Sequence, residues 1–226
     1  MSSVAKEGFT RYDQKLEFIL RTAARIFADK SYHSTTMRDI SRATEVSLAG
    51  LYYYCSSKEE LLYLIQDNCF GRVLERLEQR LGETHNAVEK LRVLIENHLS
   101  FFAANMAEMK VLSHEADSLA GDRYDQVSGK KKQYTTLARR ILEEVQLVSS
   151  PDARARVDLT VATYALFGMM NWMYNWYDPR GKISVAELVE NLTRIFMNGF
   201  MGEVEKKNLS FAGISEMESL SVWREA

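Results

Sequence analysis

Between Thr35 and Lys58 the chain gathers small side chains and hydroxyls in a pattern that suits contact with nucleic acid. The segment Ser47-Leu48-Ala49-Gly50-Leu51-Tyr52-Tyr53 has small residues at Ala49 and Gly50, which let a backbone approach another surface closely. Ser47, Tyr52 and Tyr53 offer hydroxyls to phosphates or base edges. A short helix carrying such a face fits the DNA major groove, which is about 12 Å wide. Thr35 and Thr36 precede one short helix and Lys58 opens another, so free N–H groups at those ends are placed where a phosphate can be held. Taken singly, Thr36 and Ser57 read equally well as plain helix caps, and Tyr52 and Tyr53 as plain packing. Their concurrence in one window favours the DNA-binding reading. Elsewhere the residue types argue against catalysis: there is no glycine-rich phosphate loop, no His/Cys cluster with metal-ligand spacing and no nucleophile on a recognisable elbow. No cofactor and no metal are expected. His98 and His114 are lone histidines that read as hydrogen-bonding groups at the edge of a core. Cys55 and Cys69 make no disulfide framework, which fits a reducing, cytoplasmic setting.

Helices must position these groups. The chain has 226 residues with only two prolines and eleven glycines, so it has few places to turn sharply. Apolar residues at 46% and charged residues at 27% are ordinary globular values and exclude wholesale disorder. The net charge is −2, yet residues 1–58 carry nine Lys and Arg against six Asp and Glu. A mildly basic head on an acidic body allows nucleic-acid contact at one end. Leu16, Ile19, Leu20, Ala23, Ile26 and Phe27 recur at helical spacing and predict a helix over 13–30. Thr36, answered by Asp39, makes a capping box that opens a helix over 37–43 with Met37, Ile40 and Ala43 inward. Thr44-Glu45-Val46 is a tight connection. Ser47 then caps a helix through Tyr53 with Leu51 toward the core, and Ser57 caps a long helix to Leu81. Two short helices joined by a three-residue turn and braced by longer ones form a helix-turn-helix. Further helices are expected over 86–104, 105–118, 122–148, 152–177 and 184–202, with no segment of strand period. The fold class is all-α. Leu159 to Tyr177 is free of charge, but Thr160, Thr163, Asn171 and Asn175 make it a poor membrane span, and it reads as a helix buried in protein. The first residues contain no apolar run of signal-peptide length.

The stretch FADKSYHSTTMRDISRATEVSLAGLYYYCSSKEELL resembles the N-terminal signature of the tetracycline-repressor (TetR) family of transcriptional regulators. The resemblance covers roughly residues 14–64 and is carried by Phe27, Thr36, Ile40, Val46-Ser47, Leu51-Tyr52 and Ser57-Lys58-Glu59-Glu60-Leu61. The sequence departs from the family pattern where Ser31 and Glu45 replace a usual glycine, where Cys55 replaces an aromatic residue, and at Leu48, often basic or polar in relatives. A left-handed conformation at Glu45 costs ~1 kcal/mol relative to glycine.

The resemblance implies a helix-turn-helix domain over 1–57, a helical ligand-binding and dimerisation domain over 58–205, and a tail over 206–226. It implies a homodimer whose reading helices, through Thr35, Thr36, Ser47, Ala49, Gly50, Tyr52, Tyr53 and Lys58, enter successive major grooves of a near-palindromic operator. The last two helices of each subunit would pair, through Phe167, Val185, Leu188, Leu192, Ile195 and Phe196. Family members respond to small ligands held among the central helices, where Phe101, Phe102, Met106, Met109, Tyr134 and Leu137 can line a cavity or form plain core. The run from Ala165 to Gly181 is similar to regulators of fatty-acid and steroid catabolism within the family, which bind acyl-coenzyme A thioesters. On that likeness Trp172 and Trp176 flank the ligand and Arg180, or else Lys182, Arg139, Arg140 or Lys130-Lys131-Lys132, meets its phosphates. The alternative effector is an amphipathic drug or an aromatic acid.

Overall fold

The computed structural model describes residues 10–149 and 157–198, and among these every regular element is helical. α1 (Arg11–Lys30) begins two residues before the periodicity indicates. Thr10 caps it, with the Asp13 carboxylate accepting the Thr10 N–H at 2.9 Å. α2 (Met37–Thr44) opens on the expected capping box: Thr36 Oγ1 donates to Asp39 at 2.7 Å and accepts the Asp39 N–H at 3.2 Å. α3 (Leu48–Tyr54) is capped by Ser47, whose hydroxyl accepts the Gly50 N–H at 3.0 Å. α4 (Lys58–Leu81) is capped by Ser57. Ile19, Ala23 and Phe27 of α1, Ile40 of α2, Leu51 of α3 and Leu61 and Leu62 of α4 close one core. That core continues into Ile65, Val111, Leu119 and Val127, so the head is packed onto the body through apolar contact. Ala43, expected inward, is exposed. The helix ends one residue later, at buried Thr44, whose hydroxyl donates to Ile40 O at 2.7 Å.

Two residues at the ends of α1 and α2 have positive φ: Ser31 at 69° and Glu45 at 55°. Glu45 is left-handed; Ser31, with ψ 155°, occupies a region that side chains other than glycine's rarely enter. Each position therefore stores strain that glycine would relieve. Ser31→Gly and Glu45→Gly are each expected to stabilise by about 1 kcal/mol, raising Tm by about 2–4 °C for a chain of this size. Thermal unfolding followed by circular dichroism checks this, and an unchanged or lower Tm for Glu45→Gly would show that the turn is unstrained.

The body comprises α5 (Ala87–Ala103), α6 (Met106–His114), α7 (Gly121–Ser149), α8 (Leu159–Asn171) and α9 (Val185–Asn198). Leu77, Leu91, Leu94, Leu99, Ile141, Leu166 and Met170 lie at the centre of its core. α6 stops at His114, short of the expected Ser118, and a 3-10 turn covers Ala116–Ser118. The helix expected over 152–177 is shorter: Asp158 caps α8 by accepting the Thr160 and Val161 N–H groups, and after Asn171 the chain tightens into a 3-10 turn over Trp172–Asn175. That tightening turns Met173 and Tyr177 into the core, and the Tyr177 hydroxyl donates to Ile183 O at 3.1 Å. The expected starts and ends at 152, 202 and the tail 206–226 lie outside the described residues. Among the described residues no helix is long and apolar enough to cross a membrane.

Candidate DNA-reading face and effector cavity

α3 presents Tyr53 to solvent at 73% exposure, with Tyr52 and Ala49 beside it, while Leu51 is fully buried. Tyr12 of α1 stacks on Tyr54 with centroids 4.9 Å apart and meets Tyr53 edge-on at 5.9 Å, so the N-terminus of α1 braces the end of α3. Gly50 has a reason of its own. A Cβ there would lie 2.9 Å from Val46 Cγ1 and 3.1 Å from Ser47 Oγ, so a larger residue would have to push these side chains aside, and the tight turn before α3 favours glycine regardless of DNA. Thr36 is exposed, and its hydrogen bonds hold the Asp39 carboxyl below the usual carboxylate range.

Two of the residues expected to hold phosphate face inward instead. Thr35 is buried and its hydroxyl donates to Ser31 O at 2.8 Å, so the hydroxyl closes the α1–α2 turn. Lys58 is half-buried: Nζ donates to Tyr32 O at 2.8 Å and Thr35 O at 2.9 Å and sits 4.3 Å over the Tyr32 ring. Two of its three N–H donors are thereby used in fixing that turn. The exposed cations of the head are elsewhere. Arg38 and Arg42, one helical turn apart on α2, both face solvent. Their signal in the sequence was four-residue spacing opposite the buried Ile40 and Thr44.

In the body, α4, α5, α6, α7 and α8 line a cavity of about 430 Å³ that is open to solvent on one side. Of the residues expected to line it, Phe102, Met109, Tyr134 and Trp172 do so, and they are joined by Phe70, Val73, Leu112 and Tyr174. Phe101, Met106, Leu137, Trp176 and Arg180 are not among its walls. On α5 the inward pair is His98 and Phe102, one turn apart, which rotates Phe101 into a separate cleft beside Glu17 and Arg72. On α7 the inward residues are Lys131, Tyr134 and Thr135, and Leu137 points away with Thr136 and Arg140. Met106 packs on the core and Trp176 projects to solvent. Arg180 sits in a turn with its side chain 91% exposed, Nε 3.4 Å from Asp178. Among the described residues lining the cavity Lys131 alone carries a full charge. His98, read from the sequence as a core-edge group, is part of the wall at 3% exposure, and burial pushes it down to about 4, so it is neutral at physiological pH.

The residues expected to pair two copies are partly spent within the chain. Phe167 is buried in the cavity wall, and Leu188 is buried in the core of its own subunit; neither is free to meet a second copy. Val185, Leu192 and Phe196 are partly buried against that same core, and Ile195 is exposed. The exposed apolar stripe lies on α8 instead. Val161 is 61%, Tyr164 65% and Trp172 61% exposed, with Ala165 and Gly168 between them on the same face. A Cβ on Gly168 would meet nothing within 4 Å. Burial pushes both thiols up, Cys55 to about 11 and Cys69 to about 12, so both are inert packing groups.

A capped helix-turn-helix with an exposed second helix, set on a helical body that holds a cavity, defines a DNA-binding regulator. The sequence profile described as "Bacterial regulatory proteins, tetR family" matches residues 19–63, and that described as "Tetracyclin repressor-like, C-terminal domain" matches residues 84–200. The chain belongs to the TetR family of transcriptional regulators. It is 26% identical over 184 residues to the HTH-type transcriptional repressor KstR2 of Mycolicibacterium smegmatis, covering 80% of this chain and 88% of that protein. It is 23% identical over 184 residues to the fatty acid metabolism regulator protein of Bacillus subtilis, covering 80% of this chain and 93% of that one. Among solved structures it is similar to AibR in complex with isovaleryl coenzyme A and operator DNA, with TM-score 0.69 and 26% identity over 80% of this chain and 97% of AibR.

Proposed function

We propose that this protein is a homodimeric repressor that holds a near-palindromic operator and is released from it by an acyl-coenzyme A thioester. The observation that carries the effector reading is the cavity of about 430 Å³, which lies in the range of small-molecule sites. An acyl chain needs an apolar, aromatic wall, and Phe70, Phe102, Phe167 and Met109 supply one. The phosphates of coenzyme A need cations near the mouth, and Lys131 on the rim, with exposed Lys132 beside it, takes the place expected of Arg180. AibR, a relative in fold and sequence, binds isovaleryl coenzyme A and operator DNA together in one crystal, which supports the same pairing of ligand class and partner here. On the DNA side, Tyr52, Tyr53, Ala49 and Ser47 meet the groove, and Thr36, Arg38 and Arg42 meet phosphates.

The mechanism is a population shift: ligand favours an arrangement of α4 and α6 in which the two heads no longer match the operator. Reciprocity requires operator DNA to weaken ligand binding by the same factor. The test titrates butanoyl- to dodecanoyl-coenzyme A into the protein bound to a labelled palindromic fragment from upstream of its own gene. Release by at least one chain length is expected, with DNA affinity falling about tenfold or more. No release across the panel would overturn the effector class. The rich aromatic wall, which includes Tyr134, Trp172 and Tyr174, favours an amphipathic aromatic compound as the second reading, and release by an aromatic acid alone would establish it.

A further inference from the structure

Resting on the acyl-thioester reading above, we propose that His98 and Tyr134 together form the anchor that recognises the effector's carbonyl oxygen. His98 lies on α5 and Tyr134 on α7, both buried and both in the cavity wall. His98 Nδ1 is 3.2 Å from the Tyr134 hydroxyl, and the imidazole is packed by Phe102, with centroids 4.7 Å apart, and by Phe167 at 5.9 Å. His98 Nε2 is shielded from solvent and has no hydrogen-bond partner among the described residues.

The hydrogen-bond inventory of this pair does not balance. Burial holds the imidazole neutral and pushes the phenol up, so near pH 7 the pair carries one N–H and one O–H. Their mutual bond uses one of these donors, whichever tautomer is present. If the phenol donates to Nδ1, then Nε2–H is left over; if Nδ1–H donates, the phenol O–H is left over. One buried donor therefore remains in either case. Asn171 approaches His98 closely enough to favour its protonated form, without reaching hydrogen-bond geometry at Nε2. Asn97 approaches Tyr134 with its Nδ2 on Val73 O at 2.9 Å and its buried Oδ1 without a partner, so it too stops short of hydrogen-bond geometry with the phenol. A buried donor without an acceptor is uncommon and costly, and a ligand oxygen is the partner that would complete this one.

The surroundings select the kind of oxygen. A carboxylate would bring a full charge against aromatic walls, with the single lining cation, Lys131, at the exposed rim. A hydrocarbon would leave the donor unanswered. A thioester carbonyl meets both conditions, because it is neutral, accepts a hydrogen bond and has an apolar chain on one side. The anchor thus makes the site selective for the activated acyl group over its free acid.

The experiment compares the tightest-binding acyl-coenzyme A of the panel with its S-alkyl thioether, which has the same chain length without the carbonyl oxygen. Calorimetry on the wild-type dimer is expected to show the thioester binding about tenfold tighter or more. In Tyr134→Phe and His98→Phe that ratio should fall below about threefold, and because it is taken within one variant it does not depend on global stability. A 13C-labelled thioester carbonyl should show its infrared stretch lowered in the wild type and restored toward the free value in both variants. Equal binding of thioester and thioether by the wild type would overturn the anchor while leaving the acyl-coenzyme A reading intact. Binding of no panel member would overturn both.

Discussion

Val161→Asp is expected to yield a monomer and to lower operator affinity by about a hundredfold or more. Val161 lies on the face of α8 that also carries Tyr164, Ala165, Gly168 and Trp172, and the three large side chains among them are each more than 60% exposed. In the proposed homodimer this stripe, whose Tyr164, Gly168 and Trp172 also border the cavity, is the pairing surface, and a twofold axis through it would bring the same residues of two copies together. An aspartate on this face would bury an unpaired carboxylate from each copy in the interface, and removing them from water costs far more than one valine contributes. The loss on DNA follows from valency. Joining two heads makes the second half-site contact intramolecular, which raises affinity by about 10²–10⁴ without any new contact. Sedimentation and fluorescence anisotropy read the two effects separately. Because Val161 is exposed in the subunit, the helical circular dichroism should be unchanged. A variant that remains dimeric with full operator affinity would move the pairing surface elsewhere, with exposed Ile195 on α9 the next place to look.

The elements of the head were legible because their signals are local. Thr36 with Asp39, Ser47 and Ser57 each satisfy N–H groups within a few residues, and the boundaries of α2, α3 and α4 follow from them. Ser31 and Glu45 stood out only through the family resemblance, which has glycine at both places, and both have positive φ. The body was legible only as helices. A stripe such as Val185, Leu188, Leu192, Phe196 states that one face is buried but not whether its own subunit or a second copy covers it. The same limit explains why Phe101 and Leu137 were grouped with Phe102 and Tyr134: neighbours on a helix differ by 60–100° in direction, and only the crossing of α5 with α7 decides which pair faces the cavity. Arg180 reads as a phosphate-binding cation because it follows an aromatic helix, but a turn held by the carboxylate of Asp178 keeps it at the surface. His98 reads from the sequence as a hydrogen-bonding group at the core edge, but an isolated histidine carries no signal of which partner it meets. Its significance lies in Tyr134, 36 residues away in the chain.

Glu115→Ala is expected to disconnect the cavity from the head. Glu115 is 5% exposed, at the corner between α6 and the 3-10 turn that follows it. Its carboxylate accepts the Tyr32 N–H at 2.9 Å and the Ser118 hydroxyl at 2.8 Å, and its carbonyl accepts Gln66 Nε2 of α4 at 2.9 Å. Tyr32 belongs to the turn that leads into α2, the same turn whose carbonyls Lys58 holds from α4. The other side of the Glu115 corner is cavity wall: Met109, Leu112, Ser113 and Ala116 all line it. A ligand that displaces this corner would pull on the Tyr32 N–H through a buried, charge-assisted hydrogen bond, and so shift the turn that leads into α2. Removing the carboxylate leaves the Tyr32 N–H unanswered, at a cost of about 1–3 kcal/mol in stability. It should also reduce the effector's influence on operator affinity from about tenfold or more to less than about threefold, because coupling requires a contact whose strength differs between the two states. Ligand affinity without DNA should change by no more than about twofold, since Glu115 is not itself among the cavity walls. Glu115→Gln, which retains an acceptor for Tyr32, should recover most of the release. If Glu115→Ala instead releases operator as the wild type does, the signal travels through α4 alone, and Lys58 becomes the contact through which the head is turned.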